Sequence, residues 1–389
     1  MNKTPLYIAP LETPNIPYSQ LYYWDLAVES FDLGKYYDAL THLIHYINKD
    51  ILGKGKITKD CTIVHPHGSG IIKIAIKNDE IHITAPFLKT TRAHKKALYR
   101  KISEINFHPL TLARIKLKDD LMWFEYKTSI DRVQPNKIYD VLREICVFVD
   151  DFDDAFIKKY NAQFYQKPQI EHFKLDHDIQ IYNDVQKYVA NALEVIEQFE
   201  KQRETGFVWD VLVTTCFKIA DMLGIHGTLR TDIEDQVIFL RHNDKIAIED
   251  RIAQSKQFFI NLSKLSFDEL AKNFYRCDYF ISTKFRSSLP IIQQYLKAFE
   301  TRKNEELQSG NNIAVFFTLY YAFLSLLYDY NVSKEHFVII ANTMEQISNV
   351  DFHTGATLLI DLFNKFQSGD FELPSSSING FFAKLFTNR

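Results

Sequence analysis

The chain is poor in the residues that interrupt regular structure or cross-link it. Of 389 residues only 12 are glycine and 11 proline, which excludes a loop-rich or collagen-like scaffold and confines disorder to the ends. Cysteine is scarce: Cys61, Cys146, Cys216 and Cys277 stand far apart without a CxxC pair. That spacing fits reduced thiols in a cytoplasmic protein rather than a disulfide framework or a zinc site. Charge of one sign is lacking too. A formal net charge of -3 gives no whole-chain attraction to nucleic acid or membrane, so such binding has to be local.

Long apolar runs are missing as well. The most membrane-like stretch, IAVFFTLYYAFLSLLY at 313–328, includes Thr318 and Ser325 and falls short of the roughly 20 residues a spanning helix needs. It reads as a buried core helix, and no membrane association is expected. Residues 2–20 lack the apolar centre of a secretion signal and carry Pro5, Pro10, Pro14 and Pro17. They read as an extended arm, 1–19. No GxSxG elbow, Walker A loop, GxGxxG turn or HExxH helix occurs, so no catalytic residue and no cofactor is assigned, and the chain reads as non-catalytic more readily than as an enzyme.

What is abundant is aromatic: 31 Phe and 21 Tyr, suited to well-packed helices. The length exceeds what one hydrophobic core supports, so two domains are expected. From Ser19 to Ile51 the pattern is helical, two helices meeting near Gly34; FDLGKYYDAL is similar to the middle of a tetratricopeptide repeat, without a second copy. The period then becomes two. Ile72, Ile74 and Ile76 share one face, Asn78 and Asp79 turn the chain, and Ile81, Ile83 and Ala85 continue that face on a return strand. A preceding strand, Lys59 to His65, joins through Pro66 to Gly70. Residues 91–105 return to a helical stripe, followed by strands Thr111 to Lys118 and Leu121 to Thr128 around Asp119-Asp120. Pro135 then opens a long helix striped by Ile138, Leu142, Ile145, Val149, Phe152 and Phe156.

Beyond a connector, 161–178, helical signals persist over 179–368. Gly206, Gly224 and Gly227 read as breaks, Ser266 with Glu269 as a capping box, Pro290 as a helix start and Gly310 as a stop. A strand pair around Asn243-Asp244 is also expected, because Val237, Phe239, Ile246 and Ile248 alternate there. A linker and an apolar tail, INGFFAKLF, fill 369–389. The fold class is therefore α+β: an N-terminal α-β-β-β-α-β-β-α domain with an antiparallel sheet over 20–160, followed by an all-α helical domain.

That element order resembles the type III secretion chaperone-like fold, including the YbjN family of putative sensory-transduction regulators. The most similar stretch is NFHPLTLARIKLKDDLMWFEYKTSIDRVQPNKIYDVLREICVFVDDFDDAFIKKY. There a strand, an acidic turn, an aromatic strand and a long helix follow one another as in those proteins. The resemblance implies a non-catalytic domain that dimerises and binds segments of other proteins.

Several residues invite a chemical reading. His65 and His67 in HPHGSG match the HxH pair of a metal-dependent hydrolase, which requires further ligands on later strands of an alternating β/α chain. Antiparallel hairpins follow instead, and GSG opens onto a strand rather than the helix an anion site needs, so the segment is expected to be a turn. His42 and His45 lie one turn apart, a spacing open to metal sharing or to a surface role. His82 falls opposite the isoleucines. Asp150, Asp151, Asp153 and Asp154 form an acidic cluster expected on the exposed part of the long helix, with Asp154 reaching Lys158 at i+4.

The strongest local signal is basic. From Lys49 to Lys118 fifteen Lys and Arg face five Asp and Glu, with Arg92, Lys95, Lys96, Arg100 and Lys101 on one helix and Arg114, Lys116 and Lys118 on a strand. The expected function is a protein-binding or regulatory, chaperone- or adaptor-like module, with Arg92, Lys95, Lys96 and Arg100 orienting a protein partner or a second copy. Two alternatives stay open: a nucleic-acid-associated protein using the basic face of 92–118, with Tyr99 available for stacking, and a metal-dependent hydrolase built on His65 and His67. The apolar segments at the two ends are open to docking in cis or in trans.

Overall fold

The structure, a computed structural model, describes residues 3–8, 21–222, 224–243 and 245–371. The expected tail at 378–386 and most of the expected N-terminal arm lie outside the described residues, as do Leu223 and Asp244. The described residues fall into two compact units. One is an α+β unit within Pro14–His172 together with Arg276–Thr283; the other is a helical unit within Met1–Thr13, Phe173–Tyr275 and Lys284–Arg389.

The α+β unit runs α1 (Leu21–Asp32), α2 (Tyr36–Ile47), β1 (Thr62–His67), β2 (Gly70–Lys77), β3 (Glu80–Lys89), α3 (Lys95–Phe107), β4 (Arg114–Lys118), β5 (Leu121–Ser129), α4 (Pro135–Tyr160) and β6 (Gln163–Phe164). Its antiparallel sheet has the order β1-β2-β3-β5-β4, with β6 added against β3. Alternation dictates the layering. Ile74 pairs with Ile83, Ile76 with Ile81, Ile83 with Tyr126 and Ala85 with Phe124, and all of these side chains are buried. They meet the stripe Ile138, Leu142, Ile145, Val149 and Phe156 of α4 in one core. Each large aliphatic side chain so buried stabilises the unit by roughly 1.5–3 kcal/mol. The α1–α2 hairpin joins this core through Trp24, whose ring lies edge-on to Tyr46 at 5.0 Å and to Tyr139 at 5.9 Å.

The turns follow the same logic. Asn78 and Asp79, and again Asp119 and Asp120, all hold positive φ, as a two-residue type I′ hairpin requires to match the strand twist. The β1–β2 connection is tighter than the sequence suggests. Lys77 pairs with Glu80, and His67 with Gly70, so Gly68 and Ser69 alone make the turn while Pro66 and His67 lie in the strand. Proline is tolerated there because β1 is an edge strand.

Other boundaries move for identifiable reasons. Strand β4 starts at Arg114 rather than Thr111, because the Glu144 carboxylate of α4 accepts the main-chain N–H groups of Thr111 (2.6 Å), Leu112 (3.1 Å) and Ala113 (2.7 Å). Those amides are removed from any ladder. Helix α3 starts at Lys95 rather than at residue 91, since the His94 N–H is held by the Tyr160 carbonyl at 2.8 Å. The connector contributes a sheet strand, β6, too short to show periodicity.

The helical unit contains α5 (Leu175–Gln202), α6 (Val208–Ala220), α7 (Gly227–His242), α8 (Ile248–Leu262), α9 (Phe267–Ala271), α10 (Leu289–Lys297), α11 (Glu300–Gln308), α12 (Asn312–Asp329), α13 (Lys334–Gln346) and α14 (Phe352–Ser368). Helix α12 passes a membrane-crossing test by length and composition alone, yet 72% of it is buried. Val315, Phe316, Phe317, Leu319, Tyr320 and Phe323 anchor the core of the unit, as an all-round apolar helix does. The capping box of Ser266 and Glu269 opens α9, and Pro290 sits in the first turn of α10. The strand pair expected around Asn243-Asp244 is corrected: Val237 and Phe239 lie in α7, where Leu229, Ile233, Val237 and Leu240 form a buried stripe at helical spacing, and Ile248 starts α8. Two apolar alternations were shorter than the helical period that contains them.

Gly68 holds φ at +55°, and a Cβ added there would stand 2.2 Å from Asp150 Oδ1, the oxygen that accepts the Ser69 N–H at 3.1 Å. Gly68→Ala is expected to destabilise the α+β unit by about 2–3 kcal/mol through the left-handed backbone and the clash, read as a lower urea midpoint. An unchanged midpoint would show that the turn is not held this way.

Candidate functional site

The histidine-glycine turn serves as a clamp. His67 is fully buried, and its Nδ1 accepts the main-chain N–H of Phe280 at 3.1 Å, so its proton sits on Nε2, which is buried without a hydrogen-bond partner. Next to it the Gly68 N–H donates to the Asp278 carbonyl at 2.9 Å, and Arg143 Nε donates to the Thr283 carbonyl at 2.7 Å. Together these groups seat Arg276–Thr283, whose Phe280 and Ile281 enter the sheet core. His65 spends Nδ1 on the Pro66 carbonyl at 2.7 Å. The two imidazoles therefore face main chain, and among the described residues no group of three or more His, Cys, Asp or Glu is arranged to hold a metal.

The remaining titratable candidates are also engaged locally. His42 Nδ1 lies 3.2 Å from Ser30 Oγ, and the His45 ring packs edge-on to Tyr23 at 5.1 Å, with burial and then His42 pushing its pKa down. The acidic cluster is corrected in part: Asp153 is buried rather than exposed, and Asp150 receives the Ser69 N–H. The side chains of Asp151 and Asp154 lie outside the described residues.

The basic residues are divided by the fold. Lys95 Nζ lies 2.6 Å from Asp120 Oδ1, tying the start of α3 to the β4–β5 turn. Their hydrogen bond, reinforced by charge, raises the lysine pKa and lowers that of the carboxyl; both side chains are more than a third exposed, so the pair adds little stability. Arg92, Lys96 and Arg100 are exposed and have no ion-pair partner among the described residues. The Arg92 carbonyl accepts from Asn161 Nδ2 at 3.0 Å. The structure thus joins Lys95 to an acidic turn, leaves Lys96 and Arg100 exposed on α3, and places Arg92 in the turn before α3 rather than on the helix expected from the sequence.

A second surface joins His82, Arg114 and Lys116, which the sequence singles out, with residues it does not. The outward positions of the sheet pair across strands as Lys73 with Thr84, Ala75 with His82, His82 with Lys127, Pro86 with Trp123, Trp123 with Lys116, and Glu125 with Arg114. Most are exposed or half-buried, and Val64 on β1 is 59% exposed. At the β4–β5 end an open cleft of about 500 Å³ is lined by Lys89, Lys118, Asp119, Asp120, Trp123 and Tyr165; Lys89 Nζ stands 5.6 Å from the centre of the Tyr165 ring. The cleft holds two lysines and two aspartates, an arrangement suited to a ligand of mixed charge with an aromatic or aliphatic anchor. Trp123 was findable, since it alternates with buried Met122 and Phe124. Tyr165 was not, because it follows a two-residue strand.

The start of the β4 edge is occupied. Asn106 of α3 donates from Nδ2 to the Ile115 carbonyl at 2.9 Å and accepts the Ile115 N–H on Oδ1 at 2.7 Å. Its amide occupies the Ile115 groups that β4 would offer an added strand, while Glu144 occupies the amides just before β4.

Burial pushes the His67 pKa down to about 3, with His65 adding to the shift. The unfolded chain takes up this proton near pH 6.5 and the folded chain does not, so stability falls as the pH drops from about 6.5 toward 3, by on the order of 4 kcal/mol. His67→Asn keeps an acceptor for the Phe280 N–H and removes the titration. It is expected to be less stable at pH 7 yet to lose less between pH 6.5 and 4, measured as urea midpoints. Equal losses in both proteins would assign the acid lability elsewhere. Compared with known proteins, the chain matches no protein-family model and no curated protein.

Proposed function

We propose that the α+β unit is a non-catalytic protein-binding module, of the type III secretion chaperone-like and YbjN-like kind, that receives a segment of a partner polypeptide on the outward face of its sheet. The observation that carries this reading is the pattern of that face, where Val64, Ile71, Pro86 and Trp123 alternate with Lys73, Arg114, Lys116 and Glu125. Apolar positions supply affinity on such a surface, and flanking charge supplies orientation. Asn106 and Glu144 occupy the first part of the β4 edge, which favours a partner that lies across the face over one that extends the sheet from β4.

Mixed charge favours polypeptide over polyanion. Lys127 pairs with Glu80 at 2.7 Å, Lys95 with Asp120, Lys59 with Asp79 at 3.4 Å, and the cleft carries as many aspartates as lysines. The local basic excess is thereby partly neutralised. Arg92, Lys96 and Arg100, beside the face, would steer an acidic partner. A second reading is favoured by one feature: Trp123 and Tyr165 stand among Lys89 and Lys118, as stacking platforms for a single-stranded nucleic acid do. A cytoplasmic location belongs to the same proposal and is supported by free thiols at Cys61, Cys146 and Cys216.

A photo-crosslinking residue at Lys116 should trap a protein from native lysate, whereas one at Tyr22, 69% exposed on α1, should not. Trp123→Ala combined with Arg114→Glu is expected to lower that capture at least tenfold at an unchanged unfolding midpoint. Salt-sensitive retention of a labelled oligonucleotide, lost in Lys116→Glu with Lys118→Glu, would replace the protein reading by the nucleic-acid one.

A further inference from the structure

Residues 3–8 lie on the helical unit, and side chains of that unit hold their main chain group by group. The Leu6 N–H donates to Asn191 Oδ1 at 2.8 Å, the Tyr7 N–H to Ser348 Oγ at 2.9 Å and the Ile8 N–H to the Tyr188 hydroxyl at 2.9 Å. In return, the Tyr188 hydroxyl donates to the Ile8 carbonyl at 3.0 Å, and Lys218 Nζ donates to the Leu6 carbonyl at 2.9 Å. Thr4 exchanges main-chain and hydroxyl bonds with Ile347 and Val350, the two residues flanking the turn before α14.

Two side chains are read as well. Thr4 is buried, and its Cγ2 packs where a Cβ on Gly355 would come within 2.9 Å, so the glycine makes room for it. Tyr7, three residues on, is 8% exposed and enters the core cluster of the unit. The recognising groups sit on α5, α6 and the α13–α14 turn, elements with cores of their own, so the seat does not depend on the strap for its scaffold. Lys218 is the unusual member. It is 3% exposed in the last turn of α6, its amine stands 4.9 Å from the Tyr188 ring centre and 5.9 Å from that of Tyr320, and the Leu6 carbonyl is its hydrogen-bond acceptor. The neighbouring carboxylates are committed elsewhere, Asp184 to Lys187 at 2.8 Å and Asp221 to Lys284 at 2.7 Å. Covering a lysine amine that has no counter-ion among the described residues opposes docking, so the strap is held by many bonds against a built-in penalty.

The geometry points to this seat as a peptide-binding site that grips a short segment by its main chain, with pockets for a threonine and for a tyrosine three residues on, filled here by residues 3–8 and open to exchange with the same segment of a second copy. This site is independent of the sheet face of the α+β unit. The amine faces the rings of Tyr188 on α5 and Tyr320 on α12, and the charged groups acting on Tyr188 and Tyr7 beside it are Asp184 on α5, Asp221 after α6 and Glu345 on α13. Burial raises the three tyrosines above their usual value and brings Lys218 down to about 7. An undocked seat rehydrates the amine and lets it bind a proton up to its ordinary pKa, so docking strengthens as pH rises above about 7, by at most about tenfold per pH unit.

The test uses the full chain with a protease site placed within residues 9–20, cut and washed, and a fluorescein-labelled peptide of residues 1–9. Saturable binding is expected, at least tenfold weaker to uncut protein, and abolished when the peptide carries Thr4→Val and Tyr7→Ala. Affinity should rise several-fold from pH 7 to 8.5, a rise absent in Lys218→Met, and Gly355→Ala should weaken binding at all pH values. A cut protein that stays folded yet takes up no peptide would overturn the proposal. So would loss of helical circular dichroism when the strap leaves, since the strap would then be a fixed part of the core.

Discussion

Burial of the Ile72, Ile74, Ile76, Ile81 and Ile83 face against α4 is the interaction on which the α+β unit depends. Because successive strand residues point to opposite sides, sinking these five commits their neighbours Lys73, Ala75, His82 and Thr84 to the other side. A slip of one residue would place lysine and histidine against Leu142 and Val149. The type I′ turns at Asn78-Asp79 and Asp119-Asp120 fix the register that prevents it. The outward face is thus a consequence of the core, and its chemistry is set by whichever residues alternate with the isoleucines.

Much of this unit was legible because period two over six or more residues has few competing explanations. Legibility failed where a group's partner is remote. Nothing local in HPHGSG shows that His67 accepts the Phe280 N–H, more than two hundred positions away, and nothing near Thr111 shows that Glu144 takes its amide and shortens β4. The same holds for Lys95, visible as part of a basic helix but not as the partner of Asp120. At Val237 and Phe239 the failure was of another kind: an alternating pair imitated a strand inside a helix whose buried stripe spans Leu229 to Leu240, and its supposed partner, Ile246 and Ile248, spans the start of α8. For the candidate surface, Trp123 follows from alternation, whereas Tyr165 depends on a strand too short to carry a pattern.

The helical unit hid its most informative residue altogether. Lys218 sits in CFKIAD, where the surrounding apolar residues argue only for a helix, and a lysine there is ordinarily solvated. Its burial results from three elements meeting over one amine: Tyr188 of α5, Tyr320 of α12 and the strap. Such a convergence leaves no signature in any one segment.

A common device links the two units, the seating of irregular main chain by side chains, and the instances differ in what else holds the seated piece. Arg276–Thr283 brings Phe280 and Ile281, exposed by 0% and 1%, into an apolar core. Their withdrawal would forfeit roughly 3–6 kcal/mol of burial, and water offers nothing in exchange. Residues 3–8 bury Thr4, Pro5 and Tyr7 and pack Ile8 against the core, and their main chain adds hydrogen bonds whose net worth is about 1 kcal/mol each, because water or another main chain can replace them. They also cover a cation that gains by being uncovered. Similar clamps therefore have different consequences: around His67 the clamp completes a core and makes the segment permanent, whereas around Lys218 it balances gains against a desolvation penalty and leaves the segment replaceable.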